Sequence, residues 1–254
     1  MILLLWILLF VAFVYAYTIV SLLRGHRIPV HQDYSPYQGA PPLIPTVTLS
    51  ALASRSRELV AAGFRDLGLI THTRPDGSSV LVACHDRPDG RVTAVALAVV
   101  RAGRQASGGV FLNFVTEFDD GVRLSTNNAA YNVPMRRDPL GPIFQFPGVT
   151  EAAELGALHE GLVRRRNVPI RPRLPAPDAS RFFGGRVDAE MVRQLQLGTL
   201  RTNADGTTYY LTLVGAATMA WRLLPPSASV LRMVTRRRAR GLRKALEPAP
   251  PLVK

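Results

Sequence analysis

The chain has 254 residues, 47% of them hydrophobic and 19% charged, with one cysteine and a formal net charge of +13. The lone Cys84 excludes an intramolecular disulfide framework and suits a reducing compartment. The charge excludes less, because 29 of the 31 basic residues are arginine in a chain rich in Ala, Gly and Pro, as a GC-rich genome produces without any anionic partner.

Residues 1–23, MILLLWILLFVAFVYAYTIVSLL, carry no charge. At ~1.5 Å per residue they reach roughly 35 Å, enough for a transmembrane helix. The apolar run starts at Met1 with no basic region before it and continues past Val14-Tyr15-Ala16, the one tolerable cleavage site, so it reads as a retained anchor rather than a signal peptide. Arg24 and Arg27 follow it at once and nothing basic precedes it. The expected location is therefore the inner (cytoplasmic) membrane, with a single span, the N-terminus outside and the C-terminal body cytoplasmic. Ala12 and Ala16 form a small-xxx-small pair beside Trp6, Phe13 and Tyr17, the candidate site for packing against a partner helix.

Residues 24–48 read as a Pro-rich, extended tether. Residues 49–166 read as an α+β domain with an antiparallel sheet. Ser50 is the expected N-cap of a helix reaching Phe64, with Leu52, Leu59, Val60 and Phe64 inward and Gly63 or Gly68 near its exit. From residue 70 the period changes to two. Arg-Pro-Asp-Gly at 74–77 and 87–90 and Phe-Asp-Asp-Gly at 118–121 are hairpin turns by mechanism, since Pro presets φ and Gly supplies φ > 0. They separate strands at about 79–86, 91–101, 109–118 and 122–127, a four-stranded antiparallel meander with packed helices. Phe114, Thr116, Phe118, Val122 and Leu124 share its core face, and Ala94, Ala96 and Ala98 predict close packing against the 50–64 helix. After a loop rich in Asn and Pro, Thr150 is expected to cap a helix whose acids lead and whose arginines trail.

Residues 167–186 read as a Pro-rich linker; the Pro169, Pro172, Pro175 spacing also matches a polyproline ligand. In 187–227, TTYYLTLVGAATMAWRLL is too short for a second span, contains Arg222 and would export the basic tail, so a strand followed by a buried helix is expected. A helix ending in Leu-Gly, the Asp205-Gly206 turn, TYYLT and a helix opened by VGAA resemble the end of a winged-helix domain. The resemblance implies a small winged-helix-like C-terminal unit with 188–197 as recognition helix and Arg193 as its phosphate contact. Asp188 and Glu190 oppose DNA, so such a scaffold fits protein contact better.

Residues 228–254 form a basic tail. Arg232, Arg236, Arg237, Arg238, Arg240, Arg243, Lys244 and Lys254 stand against Glu247 alone, a net +7. Leu231, Val234, Leu242, Ala245 and Leu246 recur near helical spacing, interrupted at Arg238. Arg232 to Lys244 are the candidate membrane-surface contacts, toward anionic lipid; a solvated helix and nucleic acid are the alternatives.

The dipeptide Gly63-Phe64, DGVRLSTN at 120–127 and LTLVGAATMAWRLLPP at 211–226 are similar to a group of uncharacterised bacterial single-pass membrane proteins with a cytosolic α+β part. That likeness implies no function. No catalytic, cofactor-binding or metal-binding residue is expected. Cys84 and His85 point to opposite faces of one strand, His72 should pair near Leu81, and His159 lacks the second histidine of a zinc HExxH. GxSxG, P-loop and dinucleotide fingerprints are absent from the sequence. The expectation is a noncatalytic accessory subunit of a membrane protein complex, its cytosolic body capping partner transmembrane helices. Reaction-centre H subunits share that plan in architecture alone. A membrane-tethered nucleic-acid-binding regulator and an enzyme with an unrecognised site are the alternatives.

Overall fold

An apolar run free of Pro and Gly up to residue 24 makes the first element a helix, α1 (Ile2–Gly25), which ends at Gly25 just before Pro29. The chain continues as β1 (Arg27–Pro29), β2 (Ser35–Pro36), α2 (Thr46–Ala61), β3 (Arg65–Thr73), β4 (Ser79–Asp86), β5 (Thr93–Val100), β6 (Phe111–Glu117), β7 (Arg123–Asn127) and β8 (Ile143–Gln145). Then come α3 (Ala152–Arg166), α4 (Ala179–Gln196), β9 (Leu200–Thr202), β10 (Thr208–Leu211), α5 (Leu213–Leu223) and α6 (Ser227–Leu246). The computed structural model describes residues 2–39, 44–74, 77–100, 109–129, 138, 140–173 and 178–246. The protein is α+β, with an apolar N-terminal helix, one mixed sheet and one antiparallel sheet, and divides into two compact units.

The larger unit comprises Asp33–Ala130, Pro139–Gly184 and Val234–Lys254. Its seven-stranded sheet has the order β2-β3-β4-β5-β6-β7-β8, antiparallel throughout except for the parallel β7–β8 pair. The expected meander is its centre. Leu52 and Leu59 of α2 and Leu155, Leu158 and Leu162 of α3 share one core with Ala94, Ala96, Ala98, Phe114, Phe118 and Leu124. The small side chains of β5 thus let α2 approach the sheet closely. The opposite face, Ile70, Val80, Val82, Cys84 and Val95, is covered by Ala179 and Phe182 at the start of α4.

Several boundaries differ from expectation. Helix α2 starts at Thr46 with Pro45 at the N-cap, not at Ser50, and Val60 is exposed. Helix α3 starts after Glu151; Thr150 does not cap it but donates to the Glu151 carboxylate at 3.3 Å. Strand β3 adds a neighbour ahead of the meander, and His72 pairs with Val80, because Arg74 N–H donates to Ser78 C=O and closes a longer turn. Pro75 and Asp76 of that turn lie outside the described residues. The 87–90 turn is as expected, with Gly90 N–H donating to Arg87 C=O and Gly90 at φ +68°.

The Pro-rich stretch after α3 is strapped to the sheet rather than free. Ile170 bridges Phe118, Arg171 N–H donates to Glu117 C=O at 2.9 Å and Arg173 N–H to Gly90 C=O at 3.0 Å. Residues 179–186 are already helical in α4; Pro175 and Pro177 lie outside the described residues.

The smaller unit comprises Met1–Gln32, Tyr131–Asp138 and Gly185–Met233. Its three antiparallel strands have the order β1-β10-β9. Leu200, Tyr209, Leu211, Ala216 and Met219 form its core together with Ile19, Leu22 and Leu23 of α1 and Met191 and Leu195 of α4. The helix–strand–turn–strand–helix order of 187–224 is present, and its third strand comes from residues 27–29.

Candidate membrane-contact surfaces

Leu5–Gly25 of α1 is the one helix among the described residues long and apolar enough to cross a membrane. Every Leu, Ile, Val or Phe on it suits lipid, so sequence gives it no preferred face. The structure does. Val11, Val14, Tyr15, Thr18, Ile19, Leu22 and Leu23 are partly covered, while Ala12, Phe13, Ala16, Tyr17 and Val20 are exposed; the helix packs on α5 and β10, with Ile19, Leu22 and Leu23 in their shared core. Ala12 and Ala16 therefore sit on the uncovered side, one turn apart. Thr18 satisfies its hydroxyl within the helix by donating to Val14 C=O at 2.8 Å.

Helix α5 opens with Thr212, whose side chain accepts from Gly215 N–H at 3.1 Å. The expected strand and helix are both present, but the helix is buried on one face only. Gly215, Ala216, Met219 and Ala220 point inward, and Leu213, Val214, Trp221 and Leu223 are each at least half exposed. Tyr15 reaches the far end of α5: its ring centroid lies 6.3 Å from that of Trp221, and its hydroxyl lies 2.6 Å from Ser227 Oγ. The Ser227 hydroxyl is also within reach of the Trp221 and Leu224 carbonyls, so the two hydroxyls and the end of α5 form one hydrogen-bonded cluster. Sequence reasoning missed Tyr15 and Trp221 as a pair, since nothing in a uniformly apolar helix marks one residue as the docking point.

The tail is helical as expected, yet its inward stripe is different. Ala239 is buried, and Leu242 and Leu246 pack on the α2–α3 core, with Leu246 seated over Gly161. Val234 and Ala245 are exposed. All seven basic residues from Arg232 to Lys244 are exposed. Arg232 bonds within its own helix, to Ala228 C=O and Ser229 Oγ. Arg238 lies over the Phe144 ring at 5.3 Å, and Arg243 pairs with Glu154 at 2.5 Å. Arg236, Arg237, Arg240 and Lys244 have no ion-pair partner among the described residues. Lys254 lies outside them.

Each such residue near an anionic leaflet contributes about 1 kcal/mol, screened within roughly 8–10 Å at ordinary ionic strength. In nanodiscs of anionic lipid, tryptic cleavage at Arg236, Arg237 and Arg240 should be several-fold slower than in neutral discs, with the protection lost in high salt. Equal rates in both lipids would show that the tail does not touch the leaflet.

Among the described residues, two buried histidines are titratable groups at the centre of the larger unit. His85 Nε2 lies 2.8 Å from Ser56 Oγ and 3.7 Å from Asp66 Oδ1, an arrangement with the residues of a nucleophile, a base and an acid. Both partners meet the same nitrogen, however, and buried Nδ1 has no partner, so no carboxylate orients the ring for proton transfer from the serine. Burial holds His85 below the usual imidazole range. His159 is wholly buried between Thr116 Oγ1 and Thr126 Oγ1, each at 2.9 Å, and burial pushes its pKa down to about 3. It ties β6 and β7 to α3. Among the described residues no three His, Cys, Asp or Glu side chains could hold a metal ion.

Arg193, the expected phosphate contact, is bound to Asp138 at 2.5 Å. No protein-family model matches this chain, and neither the curated proteins nor the solved structures contain a match to it.

Proposed function

We propose that this protein is a noncatalytic, single-pass accessory subunit of a membrane protein complex, with α1 crossing the inner membrane, its N-terminus outside and the body on the cytoplasmic side. The observation that carries the reading is the two-sidedness of α1. One side is occupied by α5, and the other presents Ala12 and Ala16 with Phe13 and Tyr17 beside them. Where lipid supplies no hydrophobic drive, helices associate through small residues that let backbones approach, and this side is the one left for a partner. Removal of the segment as a leader would strip Ile19, Leu22 and Leu23 from the core of the smaller unit, which favours its retention. The winged-helix-like elements α4, β9, β10 and α5 act in this scheme as a scaffold for protein contact. A role in nucleic-acid binding is disfavoured by the engagement of Arg193 with Asp138.

Ala12→Leu or Ala16→Leu should leave membrane insertion intact and release the protein from its complex on native gels of mild detergent extracts. A wild-type protein that migrates as a lone monomer under those conditions would overturn the proposal. Orientation is tested separately. Cys84 is fully buried and cannot report it. In a Cys84→Ser background, Ala204→Cys places an exposed thiol in the β9–β10 turn. A membrane-impermeant maleimide should label it only after permeabilisation; labelling in intact cells would place the body outside.

A further inference from the structure

We propose that α5 and the first turns of α6 form a re-entrant hairpin that enters the hydrocarbon of the membrane beside α1, turns at Pro225-Pro226 and returns to the side it came from. The inference rests on α1 being a span, and it adds a second membrane element in contact with lipid.

Depth is the first argument. Tyr15 stands ten residues from each end of Leu5–Gly25. At ~1.5 Å per residue that is about 15 Å from either boundary, the middle of a hydrocarbon core of about 30 Å. The Tyr15 hydroxyl meets Ser227 and lies 3.2 and 3.3 Å from the carbonyls of Leu224 and Pro225. Whatever touches Tyr15 shares its depth. If the hairpin stayed in water, α1 would have only Leu5–Val14 left for lipid, about half a bilayer.

Direction and length agree. Strand β10, just before α5, pairs with β1, just after α1. Ala216 and Met219 share a core with Ile19, Leu22 and Leu23, so α5 starts at the Gly25 end of α1 and runs back toward Tyr15. Its 11 residues rise about 16 Å, the thickness of one leaflet's hydrocarbon.

The surface chemistry fits lipid. Leu213 is 66% exposed, Trp221 58%, and Val214, Leu223, Val230 and Met233 are close to half exposed or more. A water-facing hairpin rarely presents such a row. No acidic residue occurs from Thr207 to Leu246. The turn goes part of the way to the strictest demand of hydrocarbon, that backbone polar groups be satisfied within the protein. Pro225 and Pro226 have no N–H to satisfy. Leu224 C=O accepts from Ala228 N–H, Pro226 C=O accepts from Ser229 and Val230 N–H, and the single Ser227 hydroxyl proton is in reach of Trp221 C=O and Leu224 C=O. Arg222 is the one charge in the descending arm, half-buried, engaged in a contact of its own, and in the last turn of α5 where carbonyl dipoles favour a cation. Ser227 to Arg236 is the same nine residues as Tyr15 to Arg24, so the run from Arg236 begins where the chain has had the length to regain the interface; Arg232, five residues past Ser227, is the one charge of the returning arm and bonds to Ala228 C=O and Ser229 Oγ within its helix. A half-span that returns also leaves the basic tail on the side of Arg24, consistent with the positive-inside bias.

The two tryptophans, Trp6 and Trp221, make the test. The full chain is reconstituted alone in phosphatidylcholine vesicles brominated at shallow or deep acyl positions. In Trp6→Phe, the remaining Trp221 should be quenched at least twofold by deep bromines and be insensitive to aqueous iodide. In Trp221→Phe, the remaining Trp6 reports whether α1 itself is inserted. Bromine quenching of Trp6 together with iodide quenching of Trp221 would overturn the hairpin and leave the span standing. Loss of bromine quenching at both would overturn both. Protection of Trp221 from bromine and iodide alike would mean that protein covers this face, and would also overturn the hairpin. Both variants alter exposed side chains, and an unchanged unfolding midpoint confirms that each is folded.

Discussion

Stability of the protein should decline steadily as pH falls below about 6.5, with His159 alone contributing a slope approaching about 1.4 kcal/mol per pH unit. The ring is buried and neutral in the fold, with its pKa pushed from 6.5 down to about 3. Its folded pKa is thus below its unfolded one. The unfolded chain binds a proton at a pH where the folded chain refuses it. Stability is complete above the unfolded value and is lost as pH drops from 6.5 toward 3, on the order of 4 kcal/mol over that window. His85, lowered by burial as well, acts in the same direction. Arg166 holds the Asp120 carboxyl below its ordinary value of 3.8, so that pair adds acid sensitivity only from about that pH downward, at the acid end of the window. A control isolates His159. Substituting Leu for His159 together with Val at both Thr116 and Thr126 removes all the polar partners at once, which costs little when shapes are kept. Denaturant titration of the full chain in detergent should show the slope reduced by up to about 1.4 kcal/mol per pH unit in this triple variant, with the part due to His85 remaining. An unchanged slope would place the acid sensitivity elsewhere.

How far these features could be read from the sequence depended on whether local chemistry or distant packing decided them. The β4–β7 meander was legible because its turns carry their own mechanism, Gly90 and Gly121 at positive φ after Asp, and because Phe114, Thr116 and Phe118 alternate cleanly. Strand β3 was hidden by a bulge between Asp66 and Gly68 that breaks its alternation, with Gly68 at φ +109°. The start of α2 was obscured by Thr46, Val47 and Thr48, β-branched residues that signal strand more than helix. In α6 the inward position Ala239 lies among arginines and is too small to stand out as apolar; only the presence of the α2–α3 core selects it. The candidate contact surfaces were legible in part. The uncharged run and the basic cluster are compositional facts, visible without a fold. The covered side of α1 and the open side of α5 depend on which helix meets which, and no periodicity within either segment encodes that.

Replacing Gly215 with alanine should be among the most damaging single changes in the smaller unit, because it strikes the contact that seats α5. An added Cβ would fall far inside contact distance of the Thr199 carbonyl oxygen, 3.0 Å from its carbonyl carbon and 3.1 Å from Leu211 Cδ2. The first two are backbone atoms and cannot rotate away. They are held besides, since Thr212 N–H donates to Thr199 C=O and the Thr212 hydroxyl to Gly198 C=O at 2.6 Å. The helix must move off β9, at the upper end of the cost of overpacking, about 3 kcal/mol or more. Gly198→Ala is the calibrating variant next door: its φ of +69° carries strain, but its Cβ meets nothing within 4 Å, so a loss of only about 1–2 kcal/mol is expected. Gly90→Ala provides the parallel in the larger unit. There the alanine would combine a φ of +68° with a clash against the Arg173 carbonyl, and the 169–173 strap should lift from the sheet while α5 is undisturbed. The three variants differ in what else they change. In a Trp6→Phe background, Gly215→Ala should open Trp221 to aqueous iodide by displacing α5 from Tyr15, whereas Gly90→Ala should lower the unfolding midpoint and leave Trp221 as protected as before. A Gly215→Ala protein with wild-type stability and an unaltered Trp221 would mean that α5 does not rest on the Thr199 backbone.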